Sequence, residues 1–546
     1  MKEGPTKMKS MKKLVTLLLS LVMLCALAMP AMADETTKYS ITINGAVAGH
    51  TYTAYQVFKG VYYSGNRQVE GKEAEYLSDV TWGDGVAGNA LLLELKNNET
   101  LKDKFKDANS AEDVAYVLQT MTDKSAELDE FARVVGKHLT ATAAGTTNEV
   151  AAGATKAKID NLAAGYYFVK DTGTISDGEI ATKFLVEVVG NADVTVKAQA
   201  PEFEKKIVNG STDKVTSVNV GDKVTFQLTA KVPDMASFED YTFTMHDTLS
   251  EGLTFNKDSV TVTVGGTQIV NTNGGSDKYT LTCPAADESH ETFTISFTKT
   301  QLKELVKHTD NTTAFGATIV VEYNATLNEN ALNKDVETNK AYLEYTNDPS
   351  DNGTKRTPEI IVYVYDFDLA VDKFDGTEKE TAEVNSKRLP GATFILYKGE
   401  GEGNNAKKLY YVQDENNKTV TWTETEDKAT KFTTDANGKA TFQGIAAGTY
   451  YLHETQAPAG YNSLKDDVKV EITAAYNSNG ELQNFSAAST DNGQYIQIQS
   501  IANKAGAVLP STGGIGTTIF YVLGSILALG AAVLLIAKKR MNGQDR

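Results

Sequence analysis

Cysteine is almost absent from this chain. Its 546 residues include two cysteines, and the first, Cys25, lies in an apolar N-terminal run that has the features of a secretory signal. Cys283 would then be alone in the exported protein, so no disulfide could form within it. A long exported chain without disulfides must be stabilised by other means, which directs attention to polar groups inside the core.

Histidine is also scarce, and its positions do not suggest a metal site. The six histidines are scattered without the spacing of metal ligands, and the sequence has no HExxH or GxSxG motif. His246 and Asp247 are adjacent, but neighbouring residues of a strand point to opposite faces. TDANGKATF lacks the spaced acids of a calcium loop and is explained better by an Asn-Gly hairpin turn. We therefore predict no metal, no cofactor and no enzymatic action on external substrates.

Positive charge is outweighed by negative charge. The formal net charge of -18 argues against nucleic acid or an anionic membrane surface as a partner and favours a soluble exterior. Helix signals are few, whereas the proportions of apolar and charged residues are those of globular proteins. The length suits about three domains of roughly 100–200 residues each.

The N-terminus carries an export signal. Lys12 and Lys13 precede the apolar run Leu14–Met29, and Ala31–Ala33 offers a small-x-small cleavage site before Asp34. The alternative, a first transmembrane helix, is disfavoured because the run is short and is followed at once by the cleavage pattern. Residues 1–33 are therefore predicted to be a signal peptide.

The C-terminal segment 509–546 combines three features in order. A pentapeptide is followed by an apolar run long enough to span a bilayer, which takes about 20 residues, and then by a basic cluster that fixes the cytoplasmic end. A plain C-terminal anchor helix is the simpler interpretation. The elements are Leu509, Pro510, Ser511, Thr512 and Gly513, then Ile515–Ala537, then Lys538, Lys539 and Arg540.

This order resembles the sorting signal of Gram-positive surface proteins. The resemblance implies that a sortase thiolate attacks the carbonyl of Thr512, that Gly513 and the tail leave, and that an amine resolves the acyl-enzyme. The chemistry would be performed on this chain and not by it.

Between the two ends lie three β-rich blocks, at residues 34–199, 200–365 and 366–508. Strand-like alternation recurs in segments such as KVTFQLTAKV and DSVTVTVGGTQIV, separated by Gly, Asn and Asp turns. We predict a mainly β fold of three tandem immunoglobulin-like β-sandwich domains. The polar segment Leu101–Lys137 is predicted to be a helical insertion in the first of them.

The first and third blocks contain matching segments. LAAGYYFVKDT, residues 162–172, aligns without gaps on IAAGTYYLHET, residues 445–455, and YTAYQVFKG in block one matches GATFILYKG in block three. Two copies of one sandwich unit explain the match better than a short-period solenoid. Asp171 then takes the position of Glu454.

Each of the last two blocks places three polar residues on apolar stripes. In block three these are Lys373 in FDLAVDKF, Glu454 in GTYYLHET and Asn503 in IQSIANKAG. In block two they are Lys205 in PEFEKKIV, Asp247 in YTFTMHDTLS and Asn339 in TNKAYLEYTN.

Two interpretations of such a set are open. One is a buried lysine–acid ion pair completed by the asparagine, which is expensive to bury. The other is an isopeptide bond from the lysine amine to the asparagine side-chain carbonyl. Burial favours a neutral amine and a protonated acid, the acid can polarise the amide and transfer protons, and the fold holds the reactants together.

A family resemblance favours the bond. GTYYLHETQAPAGY and RLPGATFILYK resemble collagen-adhesin B-type domains, and the three blocks followed by LPSTGG resemble the backbone pilins of Gram-positive sortase-assembled pili, across essentially the whole chain. The resemblance implies an acid-assisted Lys–Asn bond in such domains. Carried over here, the bonds are Lys373–Asn503 with Glu454 and Lys205–Asn339 with Asp247. Block one has Asp171 but no lysine after Ile43, and Lys38 lies before the stripe, so no bond is predicted there.

Pilins of this family also carry a linking lysine at the end of the first domain, in a Val-x-Val-Tyr-Pro-Lys pattern. Here the segment is ADVTVKAQAP, in which Val194 and Val196 would point inward and Lys197 outward. The Tyr-Pro pair is missing, and Lys197 is also explained as one solvated cation among 53 basic residues. Lys197 is the predicted nucleophile and Lys206 the second candidate.

The resulting prediction is a structural shaft subunit of a covalent surface pilus, secreted and finally anchored in the cell wall. Implied partners are a class C pilus sortase, a housekeeping sortase, other copies of the chain, minor pilins and peptidoglycan; host glycans or matrix proteins stay open as ligands. The alternatives are a monomeric wall-anchored adhesin or a minor pilin.

Overall fold

The structure is a computed structural model that describes residues 37–541 with internal gaps. The gaps are 70–71, 123–124, 197–200, 234, 236–237, 271–277, 285–290, 306–315, 335, 350–352, 380, 384, 401–406, 486–489, 492–493, 508 and 510–514. The predicted signal peptide, Lys197 and four residues of the sorting pentapeptide, Pro510 to Gly513, lie outside the described residues.

The first β-sandwich spans residues 39–195 and contains a helical insertion. Its elements are β1 Tyr39–Asn44, β2 Tyr52–Val69, β3 Lys72–Trp82, α1 Gly88–Asn97, α2 Lys102–Phe105, α3 Ala111–Leu118, α4 Ala126–Lys137, β4 Gly145–Thr146, β5 Lys156–Leu162, β6 Gly165–Asp171, β7 Lys183–Val188 and β8 Ala192–Thr195. One sheet has the order β5-β1-β8 and the other β3-β2-β6-β7, with β4 beside β2.

The helical insertion begins earlier than predicted, at Gly88. Leu91 and Leu95 are buried one turn apart on α1, a spacing that the run of three leucines obscures in the sequence. α3 starts with a capping box in which Ser110 and Asp113 exchange side-chain and backbone hydrogen bonds. The helices bury Leu91, Leu95, Phe105 and Phe131 in one cluster with residues of the sheet.

The second sandwich spans residues 203–365. Its elements are β9 Phe203–Ile207, β10 Val215–Ser217, β11 Lys223–Lys231, β12 Phe243–Leu249, β13 Leu253–Val264, β14 Thr267–Ile269, β15 Thr280–Thr282, β16 Phe293–Phe297, α5 Lys299–Leu305, β17 Thr318–Leu327, β18 Glu337–Thr346, β19 Thr354–Arg356 and β20 Ile360–Tyr365, with a 3-10 turn at Glu329–Asn333. One sheet has the order β14-β13-β17-β11-β9 and the other β10-β20-β18-β12-β16-β15, with β19 beside β18.

The third sandwich spans residues 367–503. Its elements are β21 Phe367–Asp375, β22 Thr393–Glu400, β23 Lys407–Gln413, β24 Val420–Thr423, β25 Phe432–Thr433, β26 Lys439–Ile445, β27 Gly448–Gln456, β28 Val468–Ile472, β29 Ala474–Tyr476, β30 Leu482–Phe485, β31 Thr490–Asp491 and β32 Gln494–Asn503, with a 3-10 turn at Glu426–Lys428. One sheet has the order β26-β21-β32-β31 and the other β24-β23-β22-β27-β28; β25 pairs with β22, and β29 pairs with β30.

The first and third sandwiches share one strand arrangement. In both, the first strand lies between an antiparallel neighbour and the parallel last strand, as in β5-β1-β8 and β26-β21-β32. The registers also agree: Tyr39 pairs with Leu162 and Phe367 with Ile445, and a register shift follows in each. This agreement supports the repeat that the sequence predicts.

The second sequence match between these sandwiches is wrong in register. The gapless alignment equates Tyr55 with Phe394. In the structure Phe394 lies opposite Glu454, whereas the residue opposite Asp171 is Tyr52. The strand pairing, and not the shared letters, therefore defines which positions correspond.

The second and third sandwiches share a continuous apolar core, while the first has separate clusters. β20 ends at Tyr365 and β21 begins at Phe367, so a single residue separates the two sandwiches. That residue, Asp366, is buried and accepts a hydrogen bond from Gln494 at 3.0 Å. The face of β21 that points away from the third core is also covered, because Asp368 is buried and accepts from the Gly444 amide.

Candidate crosslinking sites and cell-wall anchor

The third sandwich brings the predicted lysine, acid and asparagine together. Lys373 on β21 and Asn503 on β32 project from adjacent parallel strands of one sheet, and Glu454 projects from β27 in the facing sheet. Alternation places all three side chains in the core, as predicted, and all three are buried.

Glu454 contacts both reacting groups of this site. The Lys373 amine donates to Oδ1 of Asn503 and lies 3.1 Å from Oε1 of Glu454. The Asn503 amide nitrogen donates to the two carboxyl oxygens of Glu454 at 3.0 and 3.2 Å, and to the Asn462 carbonyl at 3.0 Å. One carboxyl group therefore touches the amine and the amide nitrogen that would leave as ammonia.

The surroundings make Lys373 a better nucleophile. Burial lowers the pKa of Lys373, although the neighbouring Glu454 opposes this shift. The amine also lies 5.3 Å from the centre of the Phe394 ring. A lysine in this environment more readily presents the neutral amine that nucleophilic attack requires.

The second sandwich arranges the same residue types differently. Lys205 lies on β9, the edge strand of one sheet, whereas Asp247 on β12 and Asn339 on β18 lie in the facing sheet. All three are buried. A bond between Lys205 and Asn339 would join the two sheets, while a bond in the third sandwich would join two strands of one sheet.

A tyrosine that the sequence analysis missed lies at the centre of this second site. The Tyr323 hydroxyl is 2.8 Å from the Lys205 amine, 2.5 Å from Oδ2 of Asp247 and 2.9 Å from the Asn339 amide nitrogen. The Lys205 amine also contacts Asp247 at 2.5 Å. Tyr323 continues the apolar stripe of β17, so its sequence position indicates a core residue and gives no sign of the hydroxyl contacts.

Burial shifts every titratable group of the second site toward its neutral form. It lowers the pKa of Lys205 and raises the pKa of Asp247, against their mutual attraction. Burial likewise holds the pKa of Tyr323 well above its ordinary value. A neutral amine, a protonated acid and a protonated phenol are the forms that amide exchange by acid–base catalysis requires.

The first sandwich has an acid at the corresponding position but a different partner. Asp171 is buried and contacts Nδ1 of His50 at 2.5 Å, and Nε2 of His50 lies 3.1 Å from Glu179. The strand registers place Gly45 where the third sandwich has Lys373. These contacts explain how Asp171 is accommodated without a lysine, and the absence of a crosslink there stays a prediction.

The matched segments of the first and third sandwiches also share a side-chain contact. Tyr167 donates to the Ala163 carbonyl at 2.8 Å, and Tyr450 donates to the Ala446 carbonyl at 2.8 Å. Each tyrosine lies four residues before the buried acid. This shared contact holds the strand that carries Asp171 or Glu454 against the turn that precedes it.

The C-terminal segment has the predicted helix. Leu509 is 82% exposed, and α6 runs from Ile515 to Met541. Within the described residues, Thr518–Met541 is long and apolar enough to span a membrane, with a mean hydropathy of 2.6. Three basic residues occupy its last turn, which matches the predicted cytoplasmic end.

The structure describes one of the two candidate linking lysines. Val194 and Val196 are buried, as the alternation before Lys197 predicts, but Lys197 itself lies outside the described residues. Lys206 is partly exposed on β9 next to the buried Lys205.

Comparisons with known proteins agree with these features. Residues 376–499 match the SpaA family, a prealbumin-like fold domain, and residues 501–543 match the LPXTG cell wall anchor motif. The trypsin-resistant surface T6 protein of Streptococcus pyogenes serotype M6 is 26% identical over 393 residues, which cover 63% of this chain and 70% of that protein.

The fold is shared with a solved structure. The T6 backbone pilin of serotype M6 Streptococcus pyogenes, described as a modular three-domain structure, aligns with a TM-score of 0.53 and 18% identity, over 87% of this chain and 100% of that chain. The full-length major pilin SpaD of Corynebacterium diphtheriae aligns with a TM-score of 0.47 and 18% identity, over 87% and 99% of the two chains.

The anchor motif and the tandem sandwiches define a cell-wall-anchored surface protein of the Gram-positive LPXTG class. Within that class the chain is similar to backbone pilins: it contains a SpaA-family domain, and it is similar in sequence to the T6 protein and in fold to the T6 backbone pilin. The predicted fold class and localisation are thus confirmed.

Proposed function

We propose that this chain is the shaft subunit of a covalently polymerised pilus. The main support is that one chain combines an LPXTG anchor at residues 501–543 with the three-sandwich fold of a backbone pilin. A pilus sortase of class C would cleave after Thr512 and transfer its acyl group to a lysine of the next subunit. A housekeeping sortase would transfer the last subunit to peptidoglycan, and minor pilins would share the assembly.

Lys197 is the proposed acceptor lysine. Val194 and Val196, which precede Lys197 in the chain, are buried, as the alternation that singles out Lys197 requires. In the chain Lys197 falls between the first and second sandwiches, and an acceptor lysine must be accessible to an external enzyme. Lys206 is the second candidate because its neighbour Lys205 belongs to the core.

We propose in addition that Lys373 is linked to Asn503, and Lys205 to Asn339. In each reaction the lysine nitrogen attacks the asparagine Cγ, the bond from Cγ to Nδ2 breaks, and ammonia leaves. Glu454 supports the first reaction through its contacts with both nitrogens, and Asp247 supports the second through its contact with Lys205. Proximity within the folded core supplies much of the rate.

These bonds would suit a fibre under load. Lys373 and Asn503 are separated by 130 residues and lie at opposite ends of the third sandwich sequence, so their bond would shield nearly the whole domain from extension. The bond would also restrict the unfolded chain in the way a disulfide does, which for a loop this long is about 4–5 kcal/mol of stabilisation.

The test is the mass of the protein released from the cell wall. Wall extracts of wild type, Lys197→Arg and Thr512→Ala are boiled in SDS and immunoblotted. A ladder of large species in wild type, lost in both variants, is expected. A ladder that persists in Lys197→Arg and disappears in Lys206→Arg would move the linkage to Lys206. Monomer alone in wild type, with the sortases expressed, would contradict the shaft role and leave a monomeric anchored adhesin.

A further inference from the structure

We propose that Tyr323 is a catalytic residue of the second sandwich: it delivers the proton to the amide nitrogen that leaves Asn339 when Lys205 attacks. This inference rests on the proposed Lys205–Asn339 crosslink. It assigns the proton transfer to a residue outside the lysine, acid and asparagine set.

The first support is the position of the phenol oxygen. It lies 2.8 Å from the nucleophile Lys205, 2.9 Å from the leaving nitrogen of Asn339 and 2.5 Å from Asp247. A hydroxyl can donate one hydrogen bond and accept two, so these three contacts use its full capacity. Tyr323 is 1% exposed, and its ring is held between Phe226 and Phe293 at centroid distances of 5.6 and 4.8 Å.

The second support is that Asp247 has no hydrogen bond to the Asn339 amide nitrogen among the described residues. In the third sandwich, Glu454 itself accepts from the leaving nitrogen. In the second, Oδ2 of Asp247 contacts Lys205 and Tyr323, and Oδ1 has no hydrogen-bond partner among the described residues. The acid therefore reaches the amine directly and the amide nitrogen through Tyr323.

The proton balance of the reaction closes with these groups. When the Lys205 nitrogen bonds to Cγ of Asn339, it must lose one proton, and the departing NH2 must gain one to leave as ammonia. Tyr323 gives its own proton to the departing nitrogen and takes the proton of protonated Asp247, and the carboxylate so formed accepts the proton that the Lys205 nitrogen loses. Both groups end in the protonation states in which they began, and no other reactant is needed.

The third sandwich serves as an internal reference. Its acid is a glutamate, one methylene longer than Asp247, and it contacts both nitrogens without an intermediate hydroxyl. In the third sandwich the acid contacts the leaving nitrogen directly, whereas in the second the Tyr323 hydroxyl lies between the acid and that nitrogen. Loss of the Tyr323 hydroxyl should impair one crosslink and leave the other unchanged.

The experiment measures each bond separately in the full chain, extracted in detergent and digested for mass spectrometry. The readout is the branched peptide that contains Lys205 and Asn339, with the Lys373–Asn503 peptide as internal standard. In Tyr323→Phe, we expect the rate of forming the Lys205–Asn339 bond to fall by about 100-fold or more, the range for loss of a general acid. The rate of forming the Lys373–Asn503 bond should not change. Tyr241→Phe is the matched control, because it removes another buried hydroxyl of this sandwich, one without a partner among the described residues.

Each outcome has a defined meaning. A Tyr323→Phe chain that forms the Lys205–Asn339 bond at the wild-type rate overturns the role of Tyr323 while the crosslink stands. Absence of the branched peptide from wild type overturns the proposed crosslink itself. If Tyr323→Phe does not fold, a ring-fluorinated tyrosine placed at position 323 keeps the shape and changes the acidity of the phenol. The rate of bond formation should then change, and an unchanged rate again overturns the role.

Discussion

The second and third sandwiches hold the same three residue types in two different frameworks. In the third, lysine and asparagine stand on neighbouring parallel strands, and the acid faces them from the other sheet. In the second, the lysine faces the acid and the asparagine across the core. Two different strand arrangements can therefore bring a lysine, an acid and an asparagine into one buried site.

The frameworks differ in what a bond would protect. A Lys373–Asn503 bond would join the first and last long strands of the third sandwich. A Lys205–Asn339 bond would leave the rest of β18, β19 and β20 on the far side of the crosslink. Stability and mechanical resistance should therefore respond differently at the two sites.

The largest effect is expected from removing the Lys373–Asn503 bond of the third sandwich. Asn503→Ala should lower the free energy of unfolding of this sandwich by about 4–5 kcal/mol, because a crosslink that closes a loop of 130 residues restricts the unfolded chain by about that amount. Chemical denaturation followed by Trp422 fluorescence measures it in a Trp82→Phe background, since the chain has two tryptophans and Trp422 lies on β24. The control is exposed Asn479→Ala; an unchanged transition in Asn503→Ala would contradict the bond.

The second prediction concerns extension under force. With both bonds formed, pulling the chain should release at most the segment 340–365 from the second sandwich, a length of roughly 85–95 Å at about 3.3–3.6 Å per residue. No comparable step is expected from the third sandwich. Single-molecule extension of wild type and Asn503→Ala tests this. The first sandwich, for which no bond is predicted, should give one long step in both chains, and the variant alone should add a second; a second long step in wild type would contradict the difference between the frameworks.

The sequence predicted which residues are buried at both sites, but it could not predict which of them meet across the core. The period of two residues along a strand placed Lys373, Glu454 and Asn503 inside, because a side chain's face depends only on its own strand. The same rule placed Lys205, Asp247 and Asn339 correctly. Which side chains then meet across the core depends on long-range pairing, and no local pattern encodes it.

Tyr323 and His50 show the limit most clearly. The alternation along its strand indicates only that Tyr323 is a buried aromatic residue. Its contact with Asp247 arises from the packing of the two sheets. His50 lies just before β2, yet it meets Asp171 through the fold. The start of the helical insertion at Gly88 was missed because three consecutive leucines mask the helical spacing.

The first sandwich offers a third prediction, since a histidine replaces the lysine beside its acid. The hydrogen bond to Asp171 is the main cause that raises the pKa of His50 in the folded protein, and Glu179 adds to it. The charged form is therefore favoured by folding, so this stabilisation is complete below the ordinary pKa of histidine and is lost as the pH rises through the raised value.

The measurement uses Trp82 fluorescence in a Trp422→Phe background, because Trp82 lies on β3 of the first sandwich. The denaturation midpoint of this sandwich should decrease as the pH rises through the raised pKa of His50. His50→Gln should flatten this dependence. A midpoint that increases over the same interval, or a slope unaffected by the variant, would contradict the role of the pair.

The smallest effect is expected at the junctions between sandwiches. The first meets the second through polar contacts: Glu239 lies 3.1 Å from Arg133 and 2.9 Å from Lys137, and the Gly178 and Ala181 amides donate across the junction at 2.9 and 2.8 Å. The second meets the third through a shared apolar core and backbone hydrogen bonds of Val220. Salt screens exposed ion pairs, which contribute about 0.2–1 kcal/mol, but affects apolar contacts little.

Hydrogen exchange can compare the two junctions in one sample. Glu239→Gln, or high salt, should speed exchange of the Gly178 and Ala181 amides a few-fold, as expected for a loss of about 0.5–1 kcal/mol. Exchange at Val220 and Val420, whose amides donate to Gly444 and Val220, should not change and serves as the internal control. Equal acceleration at both junctions would mean that the polar contacts do not hold the first sandwich separately, and that the three sandwiches open as one cooperative unit.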